Sequence, residues 1–341
     1  MKHVLITGAN GYIGQALARA AAKLLEAKEI QSLTLTDLAF EEQSHHHVPG
    51  LRCISGDLAD KTVLEAVLSP APDTVFHLAA RVHVMNDQAV NRLLEFRKAN
   101  TEGSLQLARQ AVQAGVKRMV FVSSIKVNGE AGHFTAGSKP NPIDPYGISK
   151  FEAEEQLLEF GRQSGLEVVV LRPPLVYGPG VKANFLRLLS AVARGIPLPL
   201  GAVNNKRSLV FVGNLADAIA TCLVHPKAKG RVYLVSDNSD VSTAQLVREM
   251  AQAFEVKEWK KGHCELIPGK TAPQIAVVER DYPNTFKRFT ALGPLLDKMG
   301  NGGKGIGWKT GVEVEQLGQL NGKTLEEGVS QGMPRIVTDI D

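Results

Sequence analysis

The sequence is poor in cysteine, carries little net charge and contains no long apolar run. Its three cysteines, Cys53, Cys222 and Cys264, lie far apart without metal-ligand spacing, which predicts reduced, buried thiols in a cytoplasmic protein. No apolar stretch approaches the length of a membrane span, and the first one, Val4 to Ile6, is too short for a signal peptide. The net charge of +4 is spread without a basic block, so nucleic-acid binding is not expected. These absences favour a soluble globular protein.

Three consecutive histidines, His45, His46 and His47, raise the question of a metal site. Consecutive side chains cannot all point at one ion from a regular element, and metal sites need ligands that converge from rigid positions. The histidines also lie in a polar stretch, residues 41–49. The pattern therefore predicts a solvated loop and no bound metal.

A glycine-rich segment follows the first predicted strand. The strand Val4 to Ile6 runs into glycines at every third position, and an alanine-rich helix is predicted from Gln15 to about Glu29. Glycines let the backbone approach phosphates closely, and a helix N-terminus offers free N–H groups and a partial positive charge. This order of strand, turn and helix predicts a dinucleotide site. The residues expected to contact the cofactor are Gly8, Asn10, Gly11, Tyr12, Ile13 and Gly14.

The second predicted strand, Leu33 to Thr36, ends at Asp37. An acidic residue about 20 positions past the glycine turn is placed to bind the adenine ribose hydroxyls. Its carboxylate would repel a 2′-phosphate, and no arginine follows within ten residues to bind one. The pattern therefore favours NAD over NADP; the alternative is an aspartate that only caps the next turn.

A catalytic set is predicted where a buried strand ends at Ser124 and a helix begins some twenty residues later. Asp144 is a plausible N-cap and Pro145 a plausible first helical residue. Tyr146 and Lys150 are four positions apart, so on a helix they share one face. Ligands of parallel sheets bind beyond the carboxyl ends of the strands, where Ser124 would lie.

That spacing suits proton transfer coupled to hydride transfer. A tyrosine with a pKa of about 10 is a poor base at neutral pH. A lysine cation one turn away, together with an oxidised nicotinamide, would favour the phenolate of Tyr146. Ser124 would hold the substrate oxygen while Tyr146 removes its proton. The alternative is an amphipathic helix on which Lys150 is an ordinary surface residue.

Residues 1 to about 255 resemble the extended short-chain dehydrogenases/reductases, the NAD-dependent epimerase/dehydratase family. The glycine spacing and the Ser124–Tyr146–Lys150 set carry the resemblance. The segments Val122–Glu130 and Arg172–Phe185 are similar to a bacterial surface-polysaccharide subgroup that contains UDP-glucose 4-epimerases and reductases of UDP-4-keto-6-deoxy-N-acetylhexosamines. The resemblance implies an α/β fold: a Rossmann-like doubly wound parallel sheet with a smaller C-terminal substrate lobe.

The resemblance also implies further contacts. Asp57 would lie by the adenine, Asn100 would open a helix over 101–114 and brace the active-site strand, and Asn184 would begin a helix that touches UDP. Arg207 would bind the diphosphate with its guanidinium fork, although a surface charge before an edge strand is the alternative. Small residues after the strand at Thr74 leave room for the cofactor, whereas His77 is expected to be a packing residue. The other expected cofactor contacts are Leu58, Leu78, Ala79, Ala80, Asn100, Tyr146, Lys150 and Pro173.

Two departures from the family narrow the reaction. Dehydratases carry Asp-Glu where this chain has Ile125-Lys126, so dehydration is not expected. Galactose-type epimerases carry an asparagine where this chain has Leu175, so the contacts that bind the sugar nucleotide must differ. The hypotheses are a NAD-dependent 4-epimerase of the UDP-glucose or UDP-N-acetylglucosamine type, a UDP-4-keto-6-deoxy-hexosamine 4-reductase, and a catalytically impaired NAD-binding module.

The end of the sequence differs from the rest. From about Glu265 it resembles, over about 265–325, an internal segment of the respiratory nitrate reductase large subunit, and Gly293 to Gly332 holds eleven glycines. An irregular, fused tail without nitrate chemistry is predicted. The expected domains are a NAD-binding domain (1–170 with 208–240), a partial substrate lobe (171–207 and 241–264) and the atypical tail (265–341). The resemblance also implies a homodimer formed through helices at 101–114 and 146–163.

Overall fold

The computed structural model describes residues 2–40, 48–82, 91–135, 137–201 and 203–254, together with the backbone of 335–337. The predicted loop at His45–His47, Cys264 and all of the predicted tail but those last three residues lie outside the described residues. Within the described ranges, no helix is both long and apolar enough to cross a membrane.

The strands and helices alternate along the chain. The strands are β1 (Lys2–Thr7), β2 (Ile30–Asp37), β3 (Leu51–Ser55), β4 (Thr74–His77), β5 (Arg118–Val122), β6 (Glu167–Arg172), β7 (Leu175–Tyr177), β8 (Leu209–Phe211), β9 (Val232–Ser236) and β10 (Arg335–Val337). The helices are α1 (Tyr12–Glu26), α2 (Lys61–Val67), α3 (Arg92–Phe96), α4 (Gly103–Ala114), α5 (Pro145–Ser164), α6 (Ala183–Ala193), α7 (Val212–Thr221) and α8 (Thr243–Ala253).

The main sheet has the strand order β3-β2-β1-β4-β5-β6-β9, with β10 beyond β9. Every neighbouring pair from β3 to β9 is parallel. The central strands β4 and β5 are buried along their whole length, as expected for a parallel sheet covered on both faces. The chain builds outward from β1 to β3, then returns to β4 on the other side of β1. The carboxyl ends of β1 and β4 therefore form the switch point where such sheets bind ligands. The predicted Rossmann-like sheet is confirmed.

The core beside this sheet is apolar and continuous. The contributing strand residues are Leu5, Val75, Met119, Phe121, Val168 and Val170, and the helix residues are Leu64, Leu107, Ala108, Ala111, Ala153 and Leu157. Each fully buried leucine stabilises the fold by about 1.5–3 kcal/mol relative to an exposed one. Because α4 and α5 share this core, the first turn of α5 is held firmly at the carboxyl edge of the sheet.

The described chain divides into two compact units. One contains residues 2–174 and Gly213–Val235, which include β1 to β6 and β9. The other contains Leu175–Val212 and residues 236–254, where β7 pairs with β8 and α6 packs against α8. In that second unit the ring of Tyr177 stacks on Phe185, with centroids 5.9 Å apart, so the unit has a small aromatic core of its own.

The predicted start of a helix at Asn100 is wrong. Helical structure is continuous from Arg92 to Ala114, and residues Arg97–Glu102 form a π turn within it. Asn100 lies inside that wider turn and is fully buried. A π turn places one extra residue in the helical ladder, a change that leaves no periodic trace in the sequence.

Candidate active site

The glycine turn between β1 and α1 is shaped by close backbone approaches. Gly8 has a φ of +68°, and a Cβ there would lie 2.6 Å from the backbone nitrogen of Ala79. A Cβ on Gly14 would lie only 2.0 Å from the carbonyl oxygen of Gly8. The N-cap of α1 is Gly11, which has no side-chain oxygen to occupy the free N–H groups of the first turn. The resulting cradle of backbone N–H groups fits a diphosphate.

Asp37 ends β2 beside this turn. Its carboxylate accepts hydrogen bonds from the backbone N–H groups of Asn10 and Leu38, both at 2.8 Å. The contact with Asn10 holds the glycine turn, and the contact with Leu38 caps the turn after β2, which was the alternative interpretation. A carboxylate has about four acceptor sites, so two remain for ribose hydroxyls and the two roles are compatible.

The other predicted cofactor residues share one edge of the sheet. Asp57 and Leu58 follow β3, and the Asp57 carboxylate accepts from the N–H of Ala59 at 2.9 Å. Leu78, Ala79 and Ala80 follow β4, and Pro173 follows β6. Because parallel strands end at a common edge, the fold brings these segments to the side of the sheet that carries the glycine turn.

Ser124 and Tyr146 come together at that same edge. Ser124 follows β5 and caps a short 3₁₀ turn, Ile125–Val127. Asp144 caps α5 by accepting from the N–H of Gly147 at 2.6 Å, and Pro145 begins the helix, as predicted. Tyr146 therefore lies in the first helical turn, and its hydroxyl is hydrogen-bonded to the side chain of Ser124.

Burial raises the pKa of Tyr146 to about 12. The Asp144 carboxylate adds to this rise, and the hydrogen bond from Ser124 opposes it. The protein's own groups thus keep Tyr146 as a neutral phenol at physiological pH, because desolvation disfavours the phenolate.

Lys150 is buried on the face of α5 that covers β5. Its side chain is almost fully enclosed, and its Nζ lies 3.9 Å from the centre of the Phe121 ring. Burial lowers the pKa of Lys150 to about 7, while the carboxylate of Glu154, one helical turn further on, opposes that fall. Burial therefore disfavours the charged form of Lys150.

Glu154 belongs to a buried ion pair that the sequence analysis missed. Arg172, the last residue of β6, binds both carboxylate oxygens of Glu154 through Nε, at 3.0 and 3.1 Å. Its Nη1 also donates to Oδ1 of Asn128 at 3.1 Å. The i, i+4 spacing of Lys150 and Glu154 was a usable signal, since such pairs share a helix face. The partner Arg172 could not be found that way, because it lies on another element.

Lys126 lies in the turn that follows Ser124. Its ammonium pairs with the carboxylate of Asp144 and donates to Glu130 at 3.0 Å. These contacts tie the turn after Ser124 to the N-terminus of α5. Lys126 therefore holds the turn after Ser124 against the start of α5, a role that its sequence position alone did not indicate.

Asn100 braces two segments, although neither is the active-site strand that the family resemblance implied. Its Nδ2 donates to the carbonyl of Arg81 and to the Oγ of Ser149, both at 3.0 Å, and its Oδ1 accepts from the N–H of Arg81 at 2.8 Å. The two hydrogen bonds with Arg81 hold the segment after β4, and the one with Ser149 holds α5 next to Lys150. Its place in a π turn fits the frequent occurrence of such turns at functional sites.

The two residues predicted to bind UDP lie in the second unit. Asn184 is in the first turn of α6, and Arg207 precedes β8, where its backbone pairs with Val241. Both residues are exposed, so their polar groups are accessible to a ligand. No group of three or more potential metal-ligating side chains occurs within the described ranges.

Comparison with known proteins places these features in a family context. Residues 4–236 match the family described as NAD dependent epimerase/dehydratase. A UDP-glucose 4-epimerase of Vibrio cholerae is 40% identical over 342 residues, covering 97% of this chain and 94% of that protein. Among solved structures, MoeE5 in complex with UDP-glucose and NAD has a TM-score of 0.62 and 31% identity, covering 73% of this chain and 81% of that one.

The predicted resemblance to nitrate reductase is confirmed as well. The respiratory nitrate reductase 2 alpha chain of Escherichia coli K12 is 60% identical over 93 residues, which is 27% of this chain but only 7% of that protein. The shares of this chain matched by the epimerase and by the reductase together exceed its length, so the two matches overlap.

Proposed function

Because the chain belongs to the NAD-dependent epimerase/dehydratase family, we propose that it is a nucleotide-sugar 4-epimerase acting on a UDP-hexose of the glucose or N-acetylglucosamine type. The observation that carries this proposal is the Ser124–Tyr146 hydrogen bond, which lies at the same sheet edge as the glycine turn. The 40% identity to a UDP-glucose 4-epimerase supports the choice of reaction.

NAD is the cofactor, and the turn from Gly8 to Gly14 would hold its diphosphate. The backbone approaches at Gly8 and Gly14 leave room only for glycine, as a diphosphate cradle requires. Asp37 would bind the ribose hydroxyls and repel the extra phosphate of NADP. When bound, oxidised NAD would supply a positive charge, which favours the phenolate of Tyr146, and a reversible hydride acceptor for the sugar.

The chain's own side chains would move the proton. Ser124 donates a hydrogen bond to the C4 oxygen of the sugar and orients it. The phenolate of Tyr146 takes the proton of the C4 hydroxyl as the C4–H bond breaks, which leaves a ketone at C4. After the sugar turns over, C4 regains its hydrogen on the opposite face, and the phenol returns its proton to the oxygen. Lys150, when protonated, stabilises the phenolate.

The test is interconversion of UDP-glucose and UDP-galactose, and of their N-acetylated counterparts, by the purified full chain without added cofactor. We expect interconversion, together with NAD released from the denatured protein and identified by mass spectrometry. An absolute need for added NADH or NADPH would contradict the proposal and favour the 4-keto reductase, because an epimerase regenerates its cofactor in each turnover.

Tyr146→Phe separates catalysis from cofactor binding. We expect it to lower the turnover rate by about 10²- to 10⁴-fold, the usual contribution of a general acid–base group, while NAD binding persists. The matched control is Tyr233→Phe, which removes a hydroxyl that donates to the carbonyl of Lys227, away from the site. If wild type and Tyr146→Phe are equally inert while both bind NAD, the chain is a catalytically impaired NAD-binding module.

A further inference from the structure

His77 uses both of its ring nitrogens in a fully buried position. It ends β4, and its Nδ1 lies 2.7 Å from the Oγ1 of Thr7. Its Nε2 lies 2.9 Å from the Oγ of Ser104. The ring also stacks on Phe121, with centroids 5.7 Å apart. His77 therefore packs, as expected from the sequence, but it also links two elements by hydrogen bonds.

The neighbouring hydrogen bonds determine which nitrogen carries the proton. Ser104 donates its only hydroxyl proton to the carbonyl of Asn100 at 2.6 Å, so towards His77 its oxygen must accept. Nε2 is then the protonated nitrogen, and Nδ1 accepts from the hydroxyl of Thr7. The Thr7 oxygen in turn accepts from the N–H of Ala79 at 3.3 Å. The donor-to-acceptor direction is therefore the same along the whole series of hydrogen bonds. It runs from Ala79 through Thr7 to His77, and from His77 through Ser104 to Asn100.

The surroundings keep the imidazole neutral. Burial, together with the nearby Lys150 cation, lowers the pKa of His77 to about 3. A protonated ring would present two N–H donors, and Thr7 would have to give up its own donation to accept one of them. The neutral tautomer therefore satisfies every partner, whereas the charged ring does not.

The two ends of this chain of bonds belong to different parts of the site. Thr7 directly precedes Gly8, and the backbone nitrogen of Ala79 lies 2.6 Å from where a Cβ of Gly8 would be. At the other end, the Asn100 side chain holds Ser149, the neighbour of Lys150 on α5. The bonds through His77 thus connect the glycine turn to the helix that carries Tyr146 and Lys150.

We propose that His77 is a positioning residue, held as the neutral Nε2–H tautomer, that fixes the NAD-binding glycine turn relative to the catalytic helix. The proposal deepens the proposed function and rests on it for the identity of the catalytic helix. Its tests use the tautomer and NAD affinity, so its failure can be told apart from failure of the epimerase assignment.

The tautomer is measured directly by ¹⁵N NMR of the imidazole nitrogens in ¹⁵N-histidine-labelled full chain. The chain has nine histidines, and the signal that disappears in His77→Gln identifies the one of interest. We expect a fixed Nε2–H tautomer at neutral pH. An Nδ1–H tautomer, or averaging between the two, would overturn the proposal.

The connection is measured by a double-mutant cycle on NAD affinity. Thr7→Val and Ser104→Ala each remove one hydroxyl next to His77 with little change of shape. We expect each to weaken NAD binding by about 2- to 10-fold, as for the loss of one buried hydrogen bond. The double variant should depart from the product of the two effects by at least about twofold, because both sites act through one network. Effects that multiply independently would overturn the proposal.

Two further variants exclude a general packing effect. Thr36→Val removes a buried hydroxyl that bonds nothing in the described part of the chain, on the residue of β2 that pairs with Thr7. It should leave NAD affinity unchanged. His77→Gln, which can accept and donate in the same way, should retain affinity better than His77→Leu. An equal loss of NAD affinity in Thr36→Val and Thr7→Val, or in the two His77 variants, would contradict a positioning role.

Discussion

The glycine turn and the start of α5 lie at the same edge of one sheet, yet different forces shape them. At the turn, the decisive contacts are between backbone atoms: a Cβ on Gly14 would be 2.0 Å from the carbonyl oxygen of Gly8. On α5, the decisive contacts involve buried charges: Lys150 lies over the Phe121 ring, and Glu154 pairs with Arg172. Steric contacts of the first kind tolerate no addition, whereas electrostatic contacts of the second kind can be adjusted by changing single charges.

We expect the largest effect from breaking the close backbone contacts of the glycine turn. Gly14→Ala should cost more than about 4 kcal/mol of unfolding free energy, a range reached only by severe local defects, and should abolish NAD binding. Gly115→Ala is the control, because Gly115 has a φ of +94° but open space around its Cβ position. That control should cost only about 1–2 kcal/mol, for the left-handed backbone alone. Equal costs in urea denaturation would contradict the steric account.

The buried ion pair predicts the next effect. Arg172→Met leaves the Glu154 carboxylate buried without its main partner and should cost about 3–5 kcal/mol. The double variant Glu154→Leu/Arg172→Met should recover most of that loss, since an apolar pair needs no desolvation of charge. Arg162→Met breaks an exposed pair with Glu159 and should change stability by less than about 1 kcal/mol. If the double variant is as unstable as Arg172→Met alone, the unpaired carboxylate of Glu154 is not the cause of the lost stability.

Lys150 should show a conflict between activity and stability. Its folded-state pKa of about 7 is below the ordinary value of 10.5, so the unfolded chain holds the proton more tightly between these pH values. Unfolding free energy therefore rises with pH across that window, and the penalty of the buried charge is complete below about pH 7. Lys150→Met should raise stability by about 1–4 kcal/mol at pH 6, and by less at pH 9.

The same variant should lower turnover by about 10²- to 10⁴-fold. Lys61→Met, which removes an exposed lysine paired with Glu65, serves as the control and should not gain stability. A stability gain for Lys150→Met that is independent of pH would show that better packing, rather than loss of buried charge, is its cause.

We expect the smallest effect from substitution of Asp144, which should change the pH dependence of kcat/KM. Its carboxylate raises the pKa of Tyr146, so Asp144→Asn should lower that pKa and move the acidic limb of kcat/KM to lower pH. Asparagine still caps the helix, and the shift should stay below about 1 pH unit because the charge is already paired with Lys126. Asp60→Asn, at the N-cap of α2, should leave the limb in place. A shift to higher pH would reverse the assigned sign.

The sequence was most informative where function depends on local spacing. The glycine turn, Asp37 at the end of a strand, and the N-cap at Asp144 were all predictable, because each depends on residues close together in the chain. Asn100 was not placed correctly: it lies in a π turn inside a longer helix, and its side-chain partners, Arg81 and Ser149, are on other segments.

By itself, the sequence determined the order of strands and helices and the Tyr146–Lys150 spacing, because hydrophobic periodicity and helix geometry act over a few residues. Only the tertiary structure decided the charge states. Burial, which depends on the whole fold, sets the pKa of Tyr146 at about 12, that of Lys150 at about 7 and that of His77 at about 3. Partners such as Arg172 for Glu154 and Thr7 for His77 meet only when the parallel strands align. Desolvation and hydrogen bonding at distant sequence positions are properties of the folded chain, and no local pattern records them.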